Sequence, residues 1–148
     1  MGPLGTRIEK DLREAMKARD AARTSTLRML VADLRNEEMR GGATLDEARE
    51  FEVLRRALKA RHDAAEGFDK GSRPDAAAKE RAEAALIETY LPKLLSASET
   101  EAAARVIAAE LGLASKRDMG RLMKELLGRH RGRVDGKVAQ EIAARVLA

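Results

Sequence analysis

The side chains best suited to binding chemistry are cations concentrated near the C-terminus. Between Ser115 and Lys137 there are eight lysines and arginines and three acidic residues, which gives this segment a net charge of +5. The rest of the chain sums to −1, because the whole sequence carries +4. Such a concentration of charge favours contact with a polyanion, although an ordinary solvated basic loop has the same composition. The cations are Lys116, Arg117, Arg121, Lys124, Arg129, Arg131, Arg133 and Lys137.

Part of this segment superficially resembles a nucleotide-binding loop. The Walker pattern requires four residues between its glycines and a Ser or Thr after its Lys. Here three residues separate Gly132 from Gly136, and Val138 follows Lys137. The segment therefore lacks a nucleotide-hydrolysis motif. Asp135 is instead predicted to cap a helix, and a basic loop that ends at a helix N-terminus offers both cations and free N–H groups to a phosphate.

The sequence offers no comparable set of catalytic residues. It contains no cysteine and two histidines, which excludes thiol catalysis, disulfides and zinc fingers. His62 and Glu66 share a helix face, with Asp63 adjacent, but the other half of a metal site is not visible, and a polar flank of a core stripe is the commoner explanation. Acidic pairs such as Glu37-Glu38 and Asp46-Glu47 fit exposed helix faces or first turns. We therefore predict no catalytic residue, no metal site and no cofactor.

Composition predicts the fold class. Aromatic residues make up 2% of the chain, which argues against aromatic cages and stacking surfaces. Strong helix formers dominate, whereas the β-branched residues typical of strands are sparse, so an all-α protein is expected. No apolar run approaches the roughly 18 residues of a membrane span, and the start does not resemble a secretory signal. The sequence thus predicts a soluble cytoplasmic protein without a membrane partner.

End signals divide the N-terminal part into four helices. The second should stop at Gly41-Gly42. Thr44-Leu-Asp-Glu47 is predicted to be the capping box of a long central helix that runs to about Phe68, about 37 Å at 1.5 Å per residue. Pro74 suits the first turn of the fourth helix. The expected core side of the long helix is Phe51, Leu54, Leu58, Ala65 and Phe68.

Three shorter helices are predicted in the C-terminal part, over about 98–111, 116–127 and 136–147. The first begins with a capping box formed either by Ser96 with Glu99 or by Ser98 with Glu101. The predicted apolar faces are Val106, Ile107 and Leu111, then Met119, Leu122, Met123 and Leu126, then Val138, Ile142 and Val146.

The boundary between the two parts is placed near Pro92, which disfavours a helical conformation at the preceding residue. The predicted domains are 1–94 and 95–148.

Two further predictions concern single residue types. Gly128 is expected to end the second helix of the tail in a left-handed conformation. Methionines are compatible with a soft binding surface, but core filling is the commoner explanation; those at helical spacing are Met29, Met39, Met119 and Met123.

Four segments of the chain have distinctive sequences. They are Arg28-Met-Leu with Arg35-Asn-Glu-Glu38, Phe68 to Asp75, Tyr90 to Ser96, and Asp118-Met-Gly-Arg-Leu-Met123 with Gly132-Arg-Val-Asp-Gly-Lys137. In this order along the chain they resemble the YqeY-like family, and the resemblance covers nearly the whole chain. The C-terminal signature of that family is shared with the tail domain of the B subunit of the bacterial tRNA-dependent amidotransferase.

The resemblance implies a helical N-terminal part followed by a three-helix tail. In the amidotransferase, which uses glutamine-derived ammonia and ATP on mischarged Glu-tRNA(Gln) or Asp-tRNA(Asn), the tail contacts the body of the tRNA and the chemistry lies elsewhere. This chain resembles the tail and has nothing similar to the catalytic cradle or a glutaminase. The glutamine-dependent carbon–nitrogen ligase activity is therefore not expected of this chain alone. By their charge, the eight cations are expected to be the residues that face tRNA, and Gly120, Gly128, Gly132 and Gly136 are expected to shape the backbone.

Four functions remain open at this level. The first is a stand-alone tRNA-binding module. The second is an accessory subunit that docks on an amidotransferase or another ligase through its N-terminal helices, which an exposed apolar patch on the long helix would favour. The third is an interaction protein that binds no nucleic acid, and the fourth is a self-sufficient enzyme built from carboxylates and arginines.

Overall fold

The computed structural model describes all residues, 1–148, and every regular element is helical, which confirms the all-α prediction. No helix combines the length and apolar character needed to cross a membrane. The chain forms two compact units, Met1–Leu91 and Pro92–Ala148. The helices are α1 (Pro3–Lys17), α2 (Ala21–Gly41), α3 (Glu47–Lys70), α4 (Pro74–Glu88), α5 (Ala97–Leu111), α6 (Met119–Arg129) and α7 (Gly136–Val146), with a 3-10 turn at Lys116–Asp118.

The helices of the N-terminal unit begin and end largely at the predicted signals. Helix α2 ends at Gly42, whose φ of 69° is the left-handed conformation that glycine adopts without strain. Pro74 occupies the first turn of α4, as predicted. The start of α3 differs from the prediction, because Asp46 rather than Thr44 is the N-cap and its Oδ1 accepts a hydrogen bond from the Arg49 N–H at 2.9 Å.

The core of the N-terminal unit joins the α1–α2 pair to the α3–α4 pair. In α3 the burial differs from the predicted stripe. Leu54 is fully buried as expected, but Phe51 and Leu58 are half-buried, while Val53 and Ala57 lie in the core. The buried stripe of α3 is therefore rotated from the predicted one, with Phe51 and Leu58 at its edge and Ala65 buried as predicted. Other fully buried side chains of this core are Ile8, Leu27, Leu30, Leu34 and Ile87.

A buried carboxylate connects α3 to the start of α1. Glu50 is 1% exposed, and its two oxygens accept hydrogen bonds from the backbone N–H groups of Leu4 at 3.2 Å and Gly5 at 2.6 Å. Helix α1 has Pro3 in its first turn, and Gly2 supplies no side-chain cap. The first free N–H groups of α1 would otherwise be buried without partners, so Glu50 performs the capping role from another helix.

The C-terminal unit packs α5, α6 and α7 around a second core. Ile107, Leu122, Leu126 and Ile142 fill it and are 3% exposed or less. Val106 was predicted to lie on the same apolar face of α5, but this prediction is wrong because the side chain is 54% exposed. The middle helix also begins later than expected, since residues 116–118 form the 3-10 turn.

The capping of α5 gives a direct test of the C-terminal unit. Of the two predicted alternatives, the structure contains the capping box of Ser96 with Glu99, in which each side chain accepts from the other residue's backbone N–H. We expect Ser96→Ala to lower the free energy of unfolding by about 1 kcal/mol. Urea denaturation of both variants tests this, because Ser98→Ala, in the first turn of α5 but with no capping hydrogen bond, should change stability by less than about 0.5 kcal/mol. Equal effects would contradict the assignment.

Candidate nucleic-acid interface

Six of the eight predicted cations are exposed and make neither an ion pair nor a side-chain hydrogen bond in the structure, whereas Arg129 and Arg133 have partners. Two of them, Lys116 and Arg117, lie in the 3-10 turn; Arg121 and Lys124 lie on α6. The remaining pair, Arg131 and Lys137, lies in the loop before α7 and in the first turn of α7. These six residues are called the free cations below.

The cations of α6 lie on the side of the helix that faces solvent. Leu122 and Leu126 are fully buried and fix the inner side of α6. Arg121 and Lys124 are three residues apart, a spacing that places both side chains on one face of a helix, and both are exposed. Packing of the leucines therefore determines that this pair of charges points outward.

The three acidic residues of the segment are occupied by local contacts. Asp118 accepts hydrogen bonds from the backbone N–H groups of Ala114 at 3.0 Å and Ser115 at 3.3 Å. These two bonds, assisted by nearby arginines, hold the pKa of the Asp118 carboxyl below its usual value. Asp135 caps α7 by accepting from two backbone N–H groups, and Glu125 forms an ion pair. None of the three pairs with a free cation.

Arg129 has a structural partner on another helix. Its Nη1 lies 2.7 Å from Oε2 of Glu110 on α5, and its Nε lies 3.4 Å from Oε2 of Glu125. The hydrogen bond with Glu110 is the main reason that the pKa of the Arg129 guanidinium is raised. Arg129 thus connects α5 and α6, so its charge is less available to a ligand than those of the free cations.

Arg133 fixes the loop between α6 and α7. Its Nε donates to the carbonyl oxygen of Lys93 at 3.1 Å, while its own carbonyl oxygen accepts from the Leu95 N–H at 2.7 Å. Gly132 precedes it with a φ of 72°, which lets the chain turn back toward the 93–95 segment. The loop is therefore held to the start of the C-terminal unit.

The other glycines of the segment have ordinary backbone conformations. Gly128 was predicted to stop α6 in a left-handed conformation, but this prediction is wrong, because α6 continues to Arg129. Gly120 lies in the first turn of α6 and Gly136 in that of α7. A Cβ atom added at any of these three positions would meet no other atom within 4 Å. Local geometry therefore does not explain the choice of glycine at these positions.

His62 and Asp63, which could have supplied half of a metal site, contact other side chains. Nε2 of His62 lies 3.6 Å from Oε1 of Glu88, and Asp63 forms an ion pair with Lys59 at 2.9 Å. The chain contains no group of three or more His, Asp or Glu side chains arranged to hold a metal ion.

An exposed apolar patch on the long helix would have favoured docking through that helix. Helix α3 has no such patch, since the exposed large hydrophobic side chains lie on other elements.

Arg129 and Arg133 have partners within the chain, and the sequence alone could have indicated one of these contacts. Glu125 and Arg129 are four residues apart on a helix, which is the spacing of an ion pair. Glu110 is 19 residues from Arg129, and Lys93 is 40 residues from Arg133. No local pattern indicates such distant partners.

Comparison with known proteins assigns nearly the whole chain to one family. The family described as "Yqey-like protein" matches residues 5–147. Similar curated proteins share the name "Altered inheritance of mitochondria protein 41, mitochondrial". The one from Lachancea thermotolerans is 36% identical over 67% of this chain and 54% of its own length. The one from Vanderwaltozyma polyspora is 35% identical over 64% of this chain and 51% of its own length. The chain spans about half the length of the curated relatives it matches.

Proposed function

Because the chain belongs to the YqeY-like family, we propose that it is an accessory protein whose C-terminal unit binds tRNA. The free cations bind phosphates, and the chain contributes no catalytic group of its own. Any glutamine-dependent carbon–nitrogen ligase activity linked to this binding belongs to a partner enzyme. An amidotransferase or another ligase that acts on tRNA is the kind of partner that this proposal requires.

The observation that carries the proposal is that some charged residues between Ser115 and Lys137 have partners within the fold, whereas the free cations do not pair. Its acidic residues are used in caps and an ion pair, and Arg129 and Arg133 hold the fold together. The free cations form no ion pair within the chain, while the helix that bears two of them is anchored by Leu122 and Leu126. A folded unit that presents unpaired cations suits a phosphate backbone.

The proposal fits either of two compartments. The matched yeast relatives carry "mitochondrial" in their name, whereas the sequence of this chain predicts a cytoplasmic protein. Translation takes place in both compartments, so a tRNA-binding role is compatible with either of them.

A docking protein that binds no nucleic acid is the second candidate function, and exposed methionines on α1 and α2 favour it.

Titration of labelled total tRNA with the full chain, followed by fluorescence anisotropy, tests the proposal. Phosphate contacts release counterions, so affinity should fall at least about tenfold between roughly 50 and 200 mM salt. Unlabelled tRNA should compete for this binding, while polyglutamate, which has carboxylates in place of phosphates, should compete poorly. Absence of binding at the lower salt concentration would reject tRNA as the ligand.

The helical glycines allow stability and binding to be separated. Gly128 lies on the same face of α6 as Arg121 and Lys124, by spacings of seven and four residues. We expect Gly128→Ala to raise the free energy of unfolding by about 0.5–1 kcal/mol, because alanine is the better helix former. A methyl group there would also keep a phosphate backbone from approaching closely, so tRNA binding should weaken by about threefold.

A matched glycine in the other unit provides the control for this prediction. Gly67 in α3 is likewise exposed, and an added Cβ would meet no atom within 4 Å. Gly67→Ala should stabilise the chain by a similar 0.5–1 kcal/mol, roughly, with tRNA affinity unchanged. If Gly128→Ala binds tRNA as well as the original chain does, close approach to α6 is not part of binding.

A further inference from the structure

The N-terminal unit exposes methionines along one pair of helices. Six large hydrophobic side chains of the whole chain are exposed, and three of these are Met16 on α1 and Met29 and Met39 on α2. Core filling was the expected role of Met29 and Met39, but the structure places them 36% and 75% exposed. Exposed methionine is adaptable and polarizable, and it recurs on surfaces that bind other proteins.

These methionines border a groove between α1 and α2. One hollow of about 610 Å³ has Leu12 and Val31 at its base, with Met16 and Met39 at its sides. A second hollow of about 650 Å³ continues from Met16 and Arg28 toward the start of α2. From Ala21 to Met39 the groove follows α2 for about 27 Å at 1.5 Å per residue. A helix of about 18 residues has this length. The groove lined by these two hollows is called the Met–Arg groove below.

The charges that line the Met–Arg groove are predominantly positive. Arg13, Arg19 and Arg28 make no ion pair in the structure, whereas Arg35 pairs with Glu9 at 2.8 Å. Elsewhere in this unit many arginines form ion pairs, and their acidic partners include Glu37, Asp69 and Glu83. An apolar base bordered by unpaired arginines is therefore complementary to a ligand that is both apolar and acidic.

We propose that the Met–Arg groove binds an acidic amphipathic helix of a partner protein. Methionine and arginine are enriched at the centres of protein interfaces, and a helix that lies in a groove places apolar anchors at spacings of three, four and seven residues. Its apolar face contacts Leu12, Val31 and the methionines. Its carboxylates pair with the three unpaired arginines. The groove lies wholly within residues 9–39, so the proposal does not depend on the free cations of the C-terminal unit.

A designed peptide of known chemistry tests the proposal on the full chain. The probe is a fluorescein-labelled helix of about 18 residues, with leucines three and four residues apart on one face and glutamates on the other. Anisotropy should show saturable binding. Arg13→Glu with Arg28→Glu should weaken it at least about tenfold, since like charges would then meet across the groove. The same variant should prefer a peptide in which lysines replace the glutamates.

The apolar contribution is measured separately. Met16→Ser with Met39→Ser should weaken binding by about fivefold or more, because both substitutions remove apolar surface that the peptide buries. Lys70→Glu, which changes an exposed lysine of α3 that has no ion pair, should alter the affinity by less than about twofold. Circular dichroism of each variant checks that the helices are intact.

Three outcomes would overturn the proposal. In the first, polyglutamate without leucines competes as well as the peptide does, which would show that charge alone is recognised. In the second, the methionine changes convert a dimer into a monomer in sedimentation, which would assign the groove to a second copy of the chain. In the third, the arginine reversals abolish tRNA binding while the peptide fails to bind, which would assign these arginines to nucleic acid. Loss of tRNA binding from changes at residues 116–137 would leave peptide binding intact.

Discussion

Replacing Arg117, Arg121 and Lys124 with alanine should weaken tRNA binding by roughly 10- to 100-fold at about 50 mM salt. All three side chains are exposed and form no ion pair, so their removal costs contacts with phosphate but no ion pair within the fold. Each lost phosphate contact also reduces counterion release. The log–log dependence of affinity on salt should therefore become shallower by about 2 to 3, and anisotropy titrations at several salt concentrations measure this slope.

Two controls distinguish local contact from general charge. Changing Lys10, Lys17 and Lys70 to alanine removes the same number of charges from exposed, unpaired positions of the N-terminal unit, and it should leave the slope within about 1 of the original. Arg129→Ala breaks the ion pairs with Glu110 and Glu125, so it should affect the stability of the C-terminal unit more than the salt slope. Equal effects of the two triple changes would contradict a localised interface.

Removing the Glu50 carboxylate should strongly destabilise the N-terminal unit. Glu50→Ala leaves the buried N–H groups of Leu4 and Gly5 without acceptors and opens a cavity. Together these effects should lower the free energy of unfolding by about 3–5 kcal/mol. That is a large share of the roughly 5–15 kcal/mol that stabilises a typical protein. Urea denaturation followed by circular dichroism measures the loss.

Glu52→Ala is the matched control, because Glu52 is an exposed neighbour on α3 and should change stability by less than about 0.5 kcal/mol. An independent change tests the same contact from the other side. A Cβ at Gly5 would lie 2.6 Å from Sδ of Met1 and 2.7 Å from Oε2 of Glu50, so Gly5→Ala should cost about 1–3 kcal/mol through overpacking. A small effect of both Glu50→Ala and Gly5→Ala would show that α1 does not need this acceptor.

The parts of the fold that the sequence predicted well are those encoded by neighbouring residues. The stop of α2 at Gly42, the cap of α7 at Asp135 and the capping box at Ser96 depend on side chains within a few residues of the helix end. The errors have a different origin. At Gly128 a common helix-stop residue lies inside α6, because the burial of Leu126 and the pairing of Arg129 extend the helix beyond it.

The sequence by itself determined the helical class, the approximate helix ends and the location of the excess positive charge, because these depend on composition and on local spacing. Only the tertiary structure decided which charges are free. Arg129 pairs with a residue 19 positions away, and Glu50 caps a helix that begins about 45 residues earlier. Such contacts form when packing brings distant helices together. No local pattern of charge encodes that proximity.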